Sequence, residues 1–269
     1  MSTRTLDPDC VSEGASQPRT PPAVIKLGGA VLEDEAGVAA VWSGLEGGVV
    51  VHGGGPQATA LARRLGHEPR IVAGRRVTTD LDLEVALFTL RGALNARLVA
   101  SARAAGVRAV GVSGADGGLV TVRRRPPVTI DGLEVDFGHV GDVEAVDVSV
   151  LEALLGAGFT PVVSTVCADL EGALYNVNAD TVAAEIAVAL GSPRLDLVTE
   201  AAGVRRDPTD PGTVLPRLTR VEAEAGVRDG WIGGGMRPKL TTALAALEAG
   251  VPAVRVCGPN LEGGTTVVP

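Results

Sequence analysis

The chain has 269 residues, 45% hydrophobic and 21% charged, enough for a sizeable core in one large domain or two closely joined lobes. Its formal net charge of −8 speaks against nucleic acid or an anionic membrane as a partner. No apolar run reaches the roughly 18 residues of a membrane span, no secretory signal is visible at the start, and three scattered cysteines argue against a disulfide framework or a zinc site.

Residues 1–22 are rich in Ser, Thr, Asp and Pro, lack apolar periodicity, and read as a disordered tail ahead of a single domain over residues 23–269. A regular pattern begins at Ala23. Residues 23–27 form a short apolar run stopped by Gly28-Gly29, and residues 49–51 another stopped by Gly53-Gly54-Gly55. Residues 109–112, 161–164, 195–198 and 253–256 repeat the scheme. Continuous apolar runs of this length suit strands buried on both faces of a parallel sheet. Aromatics are only 2% of the chain, so Ala, Val and Leu must fill the core.

Helical spacing occupies residues 57–65, 81–105, 148–155, 181–190 and 239–249, with Leu83, Leu87, Leu90, Leu94 and Leu98 along one side of the second. Gly106, Gly158 and Gly250 stand just past three of these segments, where a glycine ends a helix cheaply. Strands alternating with helices predict an α/β fold with right-handed crossovers. Residues 119–143 break the alternation with Arg123-Arg124-Arg125, a Pro-Pro pair and Asp131-Gly132. The last is a hairpin signal, and the stretch reads as an antiparallel flap over one edge of the site.

The residues suited to chemistry lie where strands end and helices begin, which is where such sheets bind ligands. Lys26, beside Gly28 and Gly29, is placed to reach a phosphate while the glycines offer N–H groups. His52-Gly53-Gly54-Gly55-Pro56 presents glycines at a helix start, an anion cradle. Arg76 offers a planar fork for a carboxylate. Asn176-Val177-Asn178-Ala179-Asp180 precedes an apolar helix; Asp180 is a candidate N-cap, but a cap accounts for one of its three polar residues. Gly233-Gly234-Gly235-Met236-Arg237-Pro238-Lys239 opens a helix with a cation in its first turn, against the dipole. No Ser-His-Asp set is evident and no histidine cluster suggests a metal. Positioning plus charge neutralisation is what phosphoryl transfer requires, and a carboxylate acceptor, ionised at pH 7, needs no general base.

In this order the motifs resemble the amino acid kinase family over nearly the whole chain from Ala23: K-L-G-G at Lys26, H-G-G-G at His52, G-x-R-V-T at Gly74, G-H-V-G-D-V at Gly138, N-V-N-A-D at Asn176 and G-G-M-x-P-K at Gly234. Within the family the pattern is most similar to the branch that phosphorylates the side-chain carboxylate of N-acetylglutamate with ATP and Mg²⁺. The resemblance implies a three-layer αβα sandwich around a mostly parallel sheet, with a β-hairpin flap over the substrate site. Residues 23–190 would form the acyl-amino-acid lobe and residues 191–269 the nucleotide lobe.

By the same resemblance Lys26 and Lys239 would stabilise the phosphoryl in flight and Asp180 would orient both. Gly28, Gly29 and Gly54 would donate N–H bonds to it. Gly54, Gly55, Arg76 and Asn176 or Asn178 would hold the acyl amino acid, with Asn176 the better fit to the family pattern. Glu200, Ala201, Ala202, Gly203, Val204 and Arg205, with Trp231, Ile232 and Gly233, would line the nucleotide. No protein-held metal, a cytoplasmic location and an arginine-insensitive homodimer are further expectations, since prolines in residues 1–22 oppose the N-terminal helix of hexameric members. Glu200 replaces the usual aspartate, Ala201-Ala202-Gly203 replaces V-P-G, and Ala96 and Ala115 stand where lysines are common. Rival readings are a kinase of carrier-protein-bound aminoadipate and, from another class, a non-catalytic amino-acid sensor on the same fold.

Overall fold

A computed structural model describes residues 21–269. Most of the tail expected over residues 1–22, with Cys10, lies outside the described residues. Pro22 is described, and its carbonyl accepts a hydrogen bond from Ser192 Oγ at 2.7 Å.

An eight-stranded sheet runs through the molecule in the order Arg217–Thr219, Thr265–Val268, Val254–Cys257, Leu195–Val198, Val24–Leu27, Val49–His52, Thr160–Ser164, Ala109–Ser113. Every pairing is parallel except that between Val254–Cys257 and Thr265–Val268. The first two strands of the order therefore run against the other six. The sheet is continuous across the expected lobe boundary, because Val24 pairs with Leu195 and Leu27 with Val198.

Side chains alternate across the strands and supply two cores. Val24, Val49, Val51, Val163, Leu195, Leu197, Val254 and Val256 meet Val182, Ile186, Leu240 and Ala243 of the helices Ala179–Ala189 and Met236–Glu248. Ile25, Leu27, Val50, Val162, Val198 and Cys257 face Val38, Val41 and Trp42 of the helix Glu35–Ser43 and Leu98 and Ala102 of the helix Asn95–Ala104. These are the three expected αβα layers. Fully buried Val-rich strands explain why their runs read as uninterrupted apolar segments rather than as alternation.

A second sheet orders Leu174–Asn176, Val166–Ala168, Val120–Arg124 and Gly141–Val146. Here the flap expected over residues 119–143 divides. Its outer strands belong to this sheet, and only Val128–Ile130 and Leu133–Val135 form the separate hairpin. That hairpin turns at Asp131 and Gly132, at φ 50° and 77°, as a two-residue turn of this hand requires. Val135 and Ile130 then pack with Phe137 on Val77, next to Arg76.

The helix expected over residues 81–105 is a helical run in three parts: Asp80–Ala86, a π-helical segment Leu87–Leu94, and Asn95–Ala104. The π segment moves the buried face from Thr89 and Leu90 to Leu94 and Asn95, a five-residue step. Leu83 and Leu87 flank the buried stripe of Asp82, Val85, Ala86, Thr89 and Leu90 and are only half-buried, while Leu90, Leu94 and Leu98 are buried.

Candidate active site

Lys26 occupies the third position of the strand Val24–Leu27 and points to the same face as Val24, toward the helix Ala179–Ala189. Its Nζ pairs with Asp180 Oδ1 at 2.8 Å, and both residues are buried. The helix is capped by Asn178, whose Oδ1 accepts from Thr181 N at 3.0 Å. Asp180 is therefore not the N-cap. It lies in the first helical turn, where the dipole favours a negative charge and where its carboxylate can turn inward.

Lys239 sits in the first turn of the helix Met236–Glu248. Burial, then the nearby charge of Lys26, hold its ammonium below the usual lysine range, and Asp180 acts in the opposite sense. Two ammonium groups and one carboxylate thus share a largely desolvated space. The excess positive charge there suits a polyphosphate.

The glycine loops close around this cluster. The strand ladder ends with Gly53 N donating to Leu27 O at 3.2 Å and Gly28 N donating to Val198 O at 3.3 Å. A Cβ on Gly29 would lie 2.6 Å from Pro56 Cδ, so the two loops touch and admit no side chain. A Cβ on Gly54 would strike Leu94 of the π segment. Gln57, in the first turn after His52-Gly53-Gly54-Gly55-Pro56, donates from Nε2 to Gly29 O at 2.8 Å.

His52 is fully buried and neutral. Burial lowers its pKa to about 4, outweighing the hydrogen bond to the Gly53 carbonyl, and Nε2 lies 3.1 Å from Asn95 Nδ2. It is a structural pin between the loop and the π-helix boundary.

Arg76 reaches the same loop. Its Nη2 donates to Gly55 O at 3.2 Å and to Thr59 Oγ1 at 2.6 Å, and Nη1 lies 3.5 Å from Asp82 Oδ1. Burial pushes the Asp82 carboxyl up, but hydrogen bonds from Thr79 and His67 outweigh it and hold it below the usual range. Asp82 is thus an ionised anchor for Arg76. Asn176 joins from the second sheet: its N–H donates to His139 O at 2.9 Å and its Nδ2 lies 3.4 Å from Thr78 Oγ1. Gly138, at φ 69°, brings its backbone against the Thr78 carbonyl, where any Cβ would collide. Three sequence motifs therefore interlock at Thr78, Gly138 and Asn176. Asn178 is exposed and its side-chain oxygen is spent on the cap.

Glu200, Ala201 and Ala202 form the partly open loop that follows Leu195–Val198. Gly203 is buried; its Cβ would meet Val214 Cγ1 at 2.7 Å and Thr265 Oγ1 at 2.8 Å. Val204 and Ile232, expected at the nucleotide, bury their side chains in the main core, and their N–H groups donate to Thr265 Oγ1 and Gly226 O. Arg205 directs Nη1 at Pro208 O at 3.4 Å. Trp231 is covered by the Arg206 guanidinium at 4.5 Å, and Gly233 is exposed.

Thr59, Asp82 and Gln57 carry no motif and are missed by sequence reasoning. The capping box of Thr79 with Asp82 is the signal that marks Asp82 as fixed. Among the described residues no group of three His, Cys, Asp or Glu side chains gathers to hold a metal ion. Asp180 is already engaged by Lys26.

The sequence pattern that describes the amino acid kinase family matches residues 21–258. The chain is 45% identical over 240 residues to an acetylglutamate kinase of Methanopyrus kandleri, covering 89% of this chain and 95% of that protein. It is 42% identical over 249 residues to an acetylglutamate kinase of Anaeromyxobacter sp., covering 89% and 92%. Among solved structures it is similar to smu.665 from Streptococcus mutans UA159, with a TM-score of 0.76 and 26% identity over 91% of this chain and 98% of that one.

Proposed function

The chain belongs to the amino acid kinase family, and from that premise we infer that it is an acetylglutamate kinase. It transfers the γ-phosphoryl of ATP to the side-chain carboxylate of N-acetyl-L-glutamate, giving N-acetylglutamyl 5-phosphate in arginine biosynthesis. The observation that carries the reading is the Lys26–Asp180–Lys239 cluster beside the glycine loops, with Lys26 and Asp180 buried and Lys239 partly so.

In the reaction a carboxylate oxygen forms a bond to the γ-phosphorus while the bond to the β–γ bridging oxygen breaks, and the electron pair leaves on ADP. Lys26 and Lys239 neutralise charge on the phosphoryl oxygens, and Asp180 holds the two ammonium groups apart and in place. Gly29 and Gly54 present N–H groups to those oxygens, whereas the Gly28 N–H, expected there as well, is engaged by Val198 O and lets the loop approach by its lack of a side chain. Arg76, anchored by Thr59 and Asp82, takes the α-carboxylate, and Gly55 and Asn176 complete the acyl-amino-acid pocket. Asn178, through its free amide nitrogen, is the lesser contributor. The nucleotide lies along Glu200, Ala201, Ala202, Gly203 and Arg205 with Trp231 and Gly233, while Val204 and Ile232, buried with their N–H groups engaged, support that surface from beneath. Mg²⁺ accompanies ATP on its phosphates and screens their charge. The two lobes, residues 23–190 and 191–269, act as one domain because they share a sheet.

A homodimer is the proposed assembly. Phe88, 66% exposed, and Leu81, 39% exposed, lie on one helical run and offer apolar surface for it. The location is the cytoplasm, where ATP is available and where the buried thiols of Cys167 and Cys257 would stay reduced. The test is ADP release with N-acetylglutamate, glutamate, aspartate and UMP offered in parallel. Turnover with N-acetylglutamate alone supports the reading, and turnover with a different acceptor, or none, defeats it.

A further inference from the structure

Gln57 stands between the two glycine loops and is not used in the reaction as described above. Its Nε2 donates to Gly29 O at 2.8 Å and lies 3.5 Å from Glu33 Oε1. Its Oε1 is buried and, among the described residues, accepts no hydrogen bond. That oxygen faces the space the loops share: it lies 3.6 Å from where a Cβ on Gly29 would stand and 3.8 Å from one on Gly54. The strand ladder ties the loops together only as far as Gly53 N and Leu27 O. Beyond that point both loops are built of glycine, the residue least able to fix its own conformation. Pro56 fills the gap from the same helix turn but supplies no donor.

We propose that Gln57 is a positioning residue for phosphoryl transfer: its amide fixes the Gly29 carbonyl and so sets the spacing of the Lys26-Leu27-Gly28-Gly29 and His52-Gly53-Gly54-Gly55 loops around the phosphoryl group. This rests on the phosphotransfer reading. The two cradles come from separate strand–helix junctions, yet their N–H groups must meet one small trigonal group. A side chain rooted in one junction and bonded to the other couples them. Ground-state binding of N-acetylglutamate depends on Arg76 and is largely independent of this link.

The experiment compares the unaltered chain with Gln57→Met, which keeps length and volume without a donor, and Gln57→Ala, which removes both. Steady-state kinetics and thermal midpoints are measured for all three. The proposal expects kcat to fall by about 10- to 100-fold in both variants, with both KM values within about threefold of the original and the midpoint nearly unchanged. A Met variant with undiminished kcat would overturn it, since volume alone would then suffice. So would a raised KM for N-acetylglutamate at unchanged kcat, or a loss of kcat that tracks a loss of thermal stability in both variants. If the unaltered chain turns over no N-acetylglutamate, the function fails and this inference with it. If the unaltered chain is active and both variants match it, only the role of Gln57 fails.

Discussion

Replacing Asp180 by Asn keeps the side chain's size and removes the one negative charge between Lys26 and Lys239. The carboxylate lies 2.8 Å from Lys26 Nζ, which at an effective dielectric constant of about 20 corresponds to roughly 6 kcal/mol of attraction. The two side chains are only 7% and 10% exposed, so water cannot readily replace the lost charge. Breaking a buried pair from one side costs about 3–5 kcal/mol, and here it also leaves two ammonium groups facing each other. The thermal midpoint of the Asp180→Asn variant should therefore fall by on the order of 10 °C. Added ATP should raise the midpoint of the variant more than that of the unaltered chain, because its phosphates take the place of the missing carboxylate. A misplaced pair of lysines worth about 3 kcal/mol in the transition state lowers kcat by roughly 100-fold. Scanning fluorimetry with and without ATP, paired with steady-state kinetics, reads all three effects. A variant with an unchanged midpoint and kcat within about twofold of the original would refute the reasoning.

Lys239→Ala should lower kcat by about 100- to 1,000-fold with far smaller changes in either KM; a near-normal kcat removes the residue from its role. Burial also holds the Lys239 ammonium below the usual lysine range, so activity should decline on the alkaline side before an exposed lysine would titrate, and a rate profile flat to pH 10.5 would count against it. Arg76→Lys keeps the charge but loses the fork that reaches Thr59 and Gly55 through Nη2 and Asp82 through Nη1. The KM for N-acetylglutamate should rise about tenfold or more, and an unaltered KM would place the α-carboxylate elsewhere. His52 has a folded-state pKa depressed from 6.5 to about 4. The unfolded chain therefore binds the proton first, and stability present above pH 6.5 is lost as pH falls toward 4, by about 3 kcal/mol. Denaturant unfolding at a series of pH values should show this slope, and His52→Gln should lack it.

Much of the candidate site was legible because its residues sit at strand ends beside glycines, and that grammar is local. Lys26, Asp180 and Lys239 lie far apart in sequence, yet each stands at a junction that the parallel sheet brings to one edge. Arg76 could be singled out, but Thr59, which helps aim it, could not, since a threonine inside a helix looks ordinary; Asp82 carried only the capping box with Thr79, which marks it as fixed without linking it to Arg76. The helix Glu35–Ser43 escaped notice because Gly37 interrupts its pattern. It is fixed instead by the Asp34 cap and by Trp42, whose Nε1 donates to Ser101 Oγ at 2.8 Å. The helix Arg220–Arg228 had a readable signal in the capping box of Thr219 with Glu222. The π segment had none. Its leucines fit an ordinary helix, and only the fold shows Leu90 and Leu94 packed beneath Gly54. Val204 and Ile232 were placed at the nucleotide by their neighbours in sequence, whereas their apolar side chains turn to the core.

Everything proposed for this chain turns on a phosphoryl group passing to a carboxylate of N-acetylglutamate. An acyl phosphate reacts with hydroxylamine to give a hydroxamate, so the most direct measurement is hydroxamate formation from N-acetylglutamate, ATP and Mg²⁺. It should be run with the unaltered chain and with Lys239→Ala. ATP-dependent hydroxamate should form in step with ADP release and be nearly absent in the variant. ADP release from the unaltered chain without hydroxamate would contradict that transfer.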